Sequence, residues 1–146
     1  MPYWRTFFHI IWATKNREPL IQPRHHQAVQ GTVRAAGKSF GALVHAVGVM
    51  PDHVHVVASI PPSVAISVVI GEMKGKSSHA LNAQFAEASG ATFAWQSEYG
   101  LLSFGESALQ RVTAYANNQA AHHATQRLWP GLERVSGPDA SHFPES

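Results

Sequence analysis

The chain has 146 residues, 45% of them hydrophobic and 14% charged, with a formal net charge of +2. That length supports a single domain with a sizeable core, and that composition excludes an intrinsically disordered chain. With no cysteine present, disulfides and thiolate metal sites are excluded, so any metal must be held by histidine, carboxylate or amide oxygen.

The charge is unevenly spread. Up to Met50 the chain carries Arg5, Lys15, Arg17, Arg24, Arg34 and Lys38 against one carboxylate, Glu18. Such an excess reads either as a solvated basic face or as a surface for an anionic partner, of which nucleic acid is the commonest. The longest apolar run, 64–70, is interrupted by Ser67 and is too short to span a bilayer. The opening "MPYWRTFF" lacks the layout of a signal peptide. A cytoplasmic protein, nucleoid-associated if its partner is DNA and without membrane contact, is the expectation.

In chain order, "WRTFFHIIWAT" (4–14) is aromatic and β-branched on both alternating faces, which predicts a central strand. "NREPLIQP" ends it, and Pro23 suits the first turn of a helix running to about residue 39. "GALVHAVGVM" (41–50) predicts a second strand, "MPD" a tight turn, and 53–59 a third strand completing a hairpin. "IPPS" opens a long helix from 64 to about 85, weakened in its middle by Gly71 and Gly75. "ATFAWQSEYGLLSF" (91–104) predicts a fourth strand with an irregular end. Ser107, with Gln110 three residues on, has the makings of a capping box for a helix to about residue 123. The remainder is broken by proline and glycine. The order β-α-β-β-α-β-α predicts an α+β fold: a ferredoxin-like antiparallel sheet with helices on one face, plus an additional C-terminal helix. The domain is expected over 1–125 and an irregular tail over 126–146.

Chemistry concentrates in three places. In "MPDHVHVV", His53 and His55 stand at i, i+2 of a strand and so leave the same face, while Val54 and Val56 face the other way into a core. They are either two polar residues on a wet face or two ligands awaiting a further oxygen or nitrogen donor. Asp52 is a turn-former by type and also a candidate to orient one imidazole. In "RVTAYANNQAAHH", Arg111, Tyr115, Gln119 and His122 form a polar stripe on one helical face, with Ala108, Val112 and Ala116 left to serve the core. This stripe is either an ordinary exposed face or a ridge with a phenol at its centre. In "GEMKGKSSHALN", Lys74, Lys76, Ser77 and Ser78 are residue types that grip a sugar–phosphate backbone, or else a solvated helix face. It is no phosphate loop, since the upstream glycine and the preceding strand are missing. Trp95 and Tyr99 either stack on unpaired bases or belong to the core.

Joined, the first two places suggest phosphodiester chemistry. A tyrosine hydroxyl can attack phosphorus if a metal polarises the non-bridging oxygens, and Gln119, one turn beyond Tyr115, could lend an amide oxygen as third ligand. Such a ligand set, with positions open for phosphate and water, suits Mg²⁺ or Mn²⁺.

Five motifs, "FHIIWATKNREPLI", "MPDHVHVV", "MKGKSSHALN", "FAWQSEYG" and "YANNQAAHH", appear in that order between residues 3 and 123. In this the chain resembles the HUH-type single-tyrosine transposases, comprising small insertion-sequence transposases and REP-associated tyrosine transposases. The resemblance implies His53, His55 and Gln119 as ligands of Mg²⁺ or Mn²⁺ and Tyr115 as nucleophile. It also implies cleavage and rejoining of hairpin-bearing single-stranded DNA through a 5′-phosphotyrosine. Lys74, Lys76, Ser77, Arg111 and Arg17 are the residues expected on DNA. A homodimer is implied too, in some members with the tyrosine helix acting in trans. Two features depart from the family pattern: Ala116 stands where a larger aliphatic is usual, with an expected loss of packing, and "ATQRLWPGLERV" does not match the family's tail. Two other readings remain. One is a catalytically silent, domesticated hairpin-binding protein of the same fold; the other is a histidine-triad phosphoesterase, disfavoured because a third alternating histidine is replaced by Val57.

Overall fold

The computed structural model describes residues 4–88 and 92–118. β1 (Phe7–Ala13) lies centrally in a four-stranded sheet, between β3 (His53–Ser59) and β4 (Gly100–Phe104), with β2 (Leu43–Val49) on the far edge beyond β3. All three pairings are antiparallel, giving the order β2-β3-β1-β4. This is the expected ferredoxin-like arrangement: the connection through α1 (His26–Ser39) leaves room for β3 between β1 and β2.

The alternation of β1 and β3 divides the sheet into two faces. Ile10, Trp12, Val54, Val56 and Ala58 project to one side, where Val29, Val33 and Ala36 of α1 meet Val69, Ile70 and Met73 of α2 (Ile66–Ala88). Full burial of each such side chain contributes roughly 1.5–3 kcal/mol before conformational entropy is counted. The opposite side is covered by α3 (Leu109–Asn117), whose Val112 and Ala116 pack on Ala46 and Val57. A β-bulge in β2 shifts the register between Val44 and Ala46, which places Val44 and Val47 on the α1–α2 side and Ala46 on the α3 side.

Several boundaries differ from expectation. The first strand is shorter at both ends, Thr14 making only an isolated bridge to Trp95. The fourth begins at Gly100, not at 91. Ahead of it, the segment meets the end of β1 through Lys15 N–H to Ala94 O (3.0 Å) and Gln96 N–H to Ala13 O (2.8 Å), and α2 side chains hold it from the other side. Asn82 exchanges two hydrogen bonds with the Phe93 backbone (2.9 and 2.6 Å), and Lys74 Nζ donates to the carbonyls of Gln96 (2.7 Å) and Glu98 (3.2 Å). Pro23 does stand at a helix start, in a 3₁₀ turn (Pro23–His25) capped by Gln22, with α1 following directly. Ser107 is not an N-cap: it lies inside a 3₁₀ turn (Glu106–Ala108), and α3 starts after Ala108 without a side-chain cap. The helix beyond Asn118 and the tail over 126–146 fall outside the described residues. No described helix is long and apolar enough to cross a membrane.

Candidate active site

The register of β1 on β3 sets Ile11 opposite His55 and Ala13 opposite His53. His9, His53 and His55 therefore all project toward the α3 side, and they are 2%, 1% and 0% exposed. The wet-face reading of the histidine pair fails on this point, because imidazoles are expensive to bury without polar partners. The His53 and His55 rings lie 4.9 Å apart centroid to centroid, and His9 lies 5.1 Å from His55.

Each ring is held from behind. His53 Nδ1 donates to Asp52 Oδ1 at 2.7 Å, and Asp52 Oδ2 accepts from Arg17 Nε (3.1 Å) and Nη2 (2.9 Å). Burial works to raise the Asp52 carboxyl, but the His53 hydrogen bond and charge and the Arg17 guanidinium outweigh it and bring it down to about 2. Asn16 and Arg17 take left-handed backbone (φ 59° and 53°), unusual for residues with a Cβ. That turn brings the Arg17 side chain onto Asp52. His55 Nδ1 in turn meets His9 Nε2 at 2.9 Å.

With Nδ1 donating to Asp52, His53 offers Nε2 as a ligand atom, as in carboxylate-oriented metal histidines. Two adjacent imidazoles supply two of the donors a divalent-cation site needs. Among the described residues no group of three His, Cys, Asp or Glu side chains could complete one, so a further donor must be of another kind or lie elsewhere. Gln119 and His122 lie outside the described residues.

α3 brings the phenol. Tyr115 is 7% exposed and packs on Ile11 and Leu102. Its ring stands edge-on to His9 (6.1 Å) and His55 (5.9 Å). The helix can come this close because β2 carries Gly48: a Cβ there would lie 2.1 Å from the Ala116 carbonyl oxygen. Ala116 is itself fully buried against Ala46, Val57 and Val112. The expected loss of packing at Ala116 is not found, since small residues on both sides let the helix backbone settle onto the sheet. The polar stripe thus divides: Tyr115 turns inward while Arg111 stays exposed.

The expected DNA-contacting residues also separate. Ser77 is fully buried, donating to Met73 O (2.7 Å) and accepting from Trp95 Nε1 (3.0 Å), so its hydroxyl faces protein and not a phosphate. Lys74 holds the 96–98 backbone, and burial lowers its pKa against the opposing pull of Glu98. Lys76 is exposed and pairs with Glu72. Trp95 packs edge-on against Trp12 and Phe93, the core role. Beside Arg17 an open pocket of about 680 Å³ is lined by Lys15, Asn16, Arg17, Ala94, Trp95, Gln96 and Ser97. The basic excess of the N-terminal half is dispersed: Arg5 pairs with Glu106, Arg17 with Asp52, and Arg34 donates to Val44 O.

Sequence reasoning missed His9 and Gly48. The only signal for His9 was a polar residue at the right parity in an otherwise apolar strand, and its partner depends on a strand register that spacing does not give.

The family described as "Transposase IS200 like" matches residues 2–119. The transposase for insertion sequence element IS200 of Salmonella typhimurium is 30% identical over 84 residues, 58% of this chain. The match spans only 55% of that relative's length. The ISDra2 transposase TnpA of Deinococcus radiodurans is 24% identical over 115 residues, 77% of this chain and 82% of that protein. A crystal structure from Deinococcus radiodurans R1, assigned as a transposase, superposes with a TM-score of 0.62 at 25% identity, over 82% of this chain and 95% of the other. A REP-associated tyrosine transposase bound to a REP hairpin shares the fold, with a TM-score of 0.63 at 16% identity over 84% and 74% of the two chains.

Proposed function

This chain belongs to the IS200-like transposase family, and on that premise we propose that it nicks and rejoins single-stranded DNA at hairpin-marked ends, with Tyr115 as nucleophile. One observation carries the proposal: the Tyr115 ring is packed edge-on against His55, the neighbour of His53, on the one sheet face where imidazoles are buried. A purely apolar core would not pack two buried histidines against the tyrosine, with a third beside them.

In the proposed reaction Tyr115 Oη gives up its proton to water and attacks the phosphorus of a phosphodiester. The bond from phosphorus to the 3′ oxygen breaks, the 5′ phosphate stays on Tyr115, and the leaving 3′ oxygen takes up a proton. Attack by another strand's 3′-hydroxyl reverses the step and rejoins DNA with no external energy source, since one phosphoester replaces another. A phenol titrates ordinarily near 10, so it needs help at neutral pH. His53 and His55 would hold Mg²⁺ or Mn²⁺ through Nε2, with Gln119 as a further ligand. When bound, such an ion supplies Lewis-acid stabilisation of charge on the phosphate oxygens. Arg17, Lys76 and Arg111 are the cations proposed for the DNA backbone, and the hairpin-bound fold neighbour supports a hairpin partner. The reading places the protein with DNA in the cell interior.

The test is a covalent adduct. Wild-type protein with hairpin-bearing single-stranded DNA and Mn²⁺ is expected to give a band that survives denaturation, and Tyr115→Phe to give none. An undiminished adduct from Tyr115→Phe would sink the assignment, and hairpin binding without any adduct from the wild type would establish the silent binder instead. The reading also takes in a homodimer. In the single chain Tyr115 lies against its own chain's His9 and His55. Mixing Tyr115→Phe with His53→Ala chains restores the adduct only if the helix acts in trans.

A further inference from the structure

His9 is the one imidazole of the buried cluster to which the reaction gives no role. Its Nε2 lies 2.9 Å from His55 Nδ1, and its ring also stands edge-on to Tyr115. A contact between two imidazole nitrogens needs one proton, and there are two ways to place it. If His9 donates, neutral His55 carries its own proton on Nε2 and has no lone pair there for a cation. If His55 donates from Nδ1, its Nε2 carries a lone pair, as that of His53 does, and His9 carries its proton on Nδ1.

The partner ring shows how the choice is made elsewhere in the same site. The Asp52 carboxylate, ion-paired with Arg17, can only accept, so His53 carries its proton on Nδ1 and presents Nε2. His9 stands to His55 as Asp52 stands to His53, within hydrogen-bond distance of Nδ1, but from a fully buried position.

We propose that His9 is a positioning residue that accepts the Nδ1 proton of His55 and so fixes the His55 ring with Nε2 presented beside His53 Nε2. His9 is not itself a ligand, because the nitrogen it turns to the site is the one bonded to His55. The inference rests on the metal reading above only for its consequence; the proton placement stands apart from it.

Ring nitrogen-15 spectra of the metal-free wild-type protein at neutral pH report the tautomers directly. The expected result is a proton on Nδ1 of His55 and on Nδ1 of His9, and a proton on Nε2 of His55 overturns the proposal. Mn²⁺ affinity supplies the second readout. His9→Phe keeps an aromatic ring but loses the acceptor, and is expected to weaken Mn²⁺ binding by about 10–100-fold with the circular dichroism spectrum unchanged. His9→Gln places an amide oxygen near the old Nε2 position and is expected to recover most of that loss. His9→Phe binding Mn²⁺ as tightly as wild type also overturns it. Should His9→Phe fail to fold, the wild-type spectra and His9→Gln still decide. A wild-type protein that takes up no Mn²⁺ removes the metal reading, while the His55 proton still decides for or against His9.

Discussion

The two faces of one sheet are built from the same two strands and do different work. On the α1–α2 side β1 and β3 send out Ile10, Trp12, Val54, Val56 and Ala58, all carbon apart from one indole nitrogen. On the α3 side the alternate positions of the same strands send out His9, Ile11, His53, His55 and Val57. A strand with period two can carry a core and a reactive site at once, provided each face is covered by its own helices. The first face is stabilised by area alone. The second spends area on imidazoles, and their burial is offset by Asp52, Arg17 and His9. Changes on the first face should therefore show in stability, and changes on the second in chemistry.

Four perturbations test that division, from the largest effect downward. His53→Ala is expected to cost DNA cleavage on the order of 10³-fold, since Lewis-acid stabilisation is worth several kcal/mol, while hairpin affinity and the melting transition change little. Loss of hairpin binding in step with cleavage would show that the histidine face also holds the fold. Trp12→Ala, on the opposite face, is expected to lower the unfolding free energy by about 3–5 kcal/mol, read by denaturant titration. Gly48→Ala forces a Cβ into the Ala116 carbonyl, and should cost about 1–3 kcal/mol and suppress adduct formation by displacing the turn that bears Tyr115. Normal adduct yield in Gly48→Ala would mean that Tyr115 does not depend on this approach.

The smallest effect concerns pH. The Asp52 carboxyl is lowered from 3.8 to about 2 in the folded chain, so its stabilisation is fully present above 3.8 and is lost as pH falls through about 2. The difference corresponds to at most roughly 2 kcal/mol, reduced by the partial exposure of the pair. Asp52→Asn is expected to be less stable at neutral pH and to lose less on acidification across that window. Equal acid slopes for the two proteins would show that Asp52 does not carry this term.

Much of this was legible beforehand where local pattern and tertiary need coincide. Alternation in "HVHVV" put His53 and His55 on one face, and the structure keeps them there. Fold order was legible because hydrophobic period and turn residues change together at Pro23, "MPD" and "IPPS". Legibility failed where side chains bond to distant backbone. Lys74 and Ser77 looked like part of a phosphate-gripping helix face, yet with Asn82 they hold the 93–98 segment, which meets the end of β1 only in an isolated bridge. Ser107 and Gln110 had the letters of a capping box, but the chain enters α3 through a 3₁₀ turn and the cap is not made.

The sequence by itself determined which residues could act: two histidines on one strand face, a tyrosine on a late helix, and a chain without cysteine. Only the tertiary structure decided which of them meet. The β1–β3 register brought His9 onto His55, the left-handed turn at Asn16 and Arg17 brought a guanidinium onto Asp52, and the missing Cβ at Gly48 let α3 carry Tyr115 down to the histidines. The reason is physical. Periodicity fixes the direction of a side chain within its own element, whereas contact between elements depends on register, packing distance and backbone approach, which are settled only when the whole core closes.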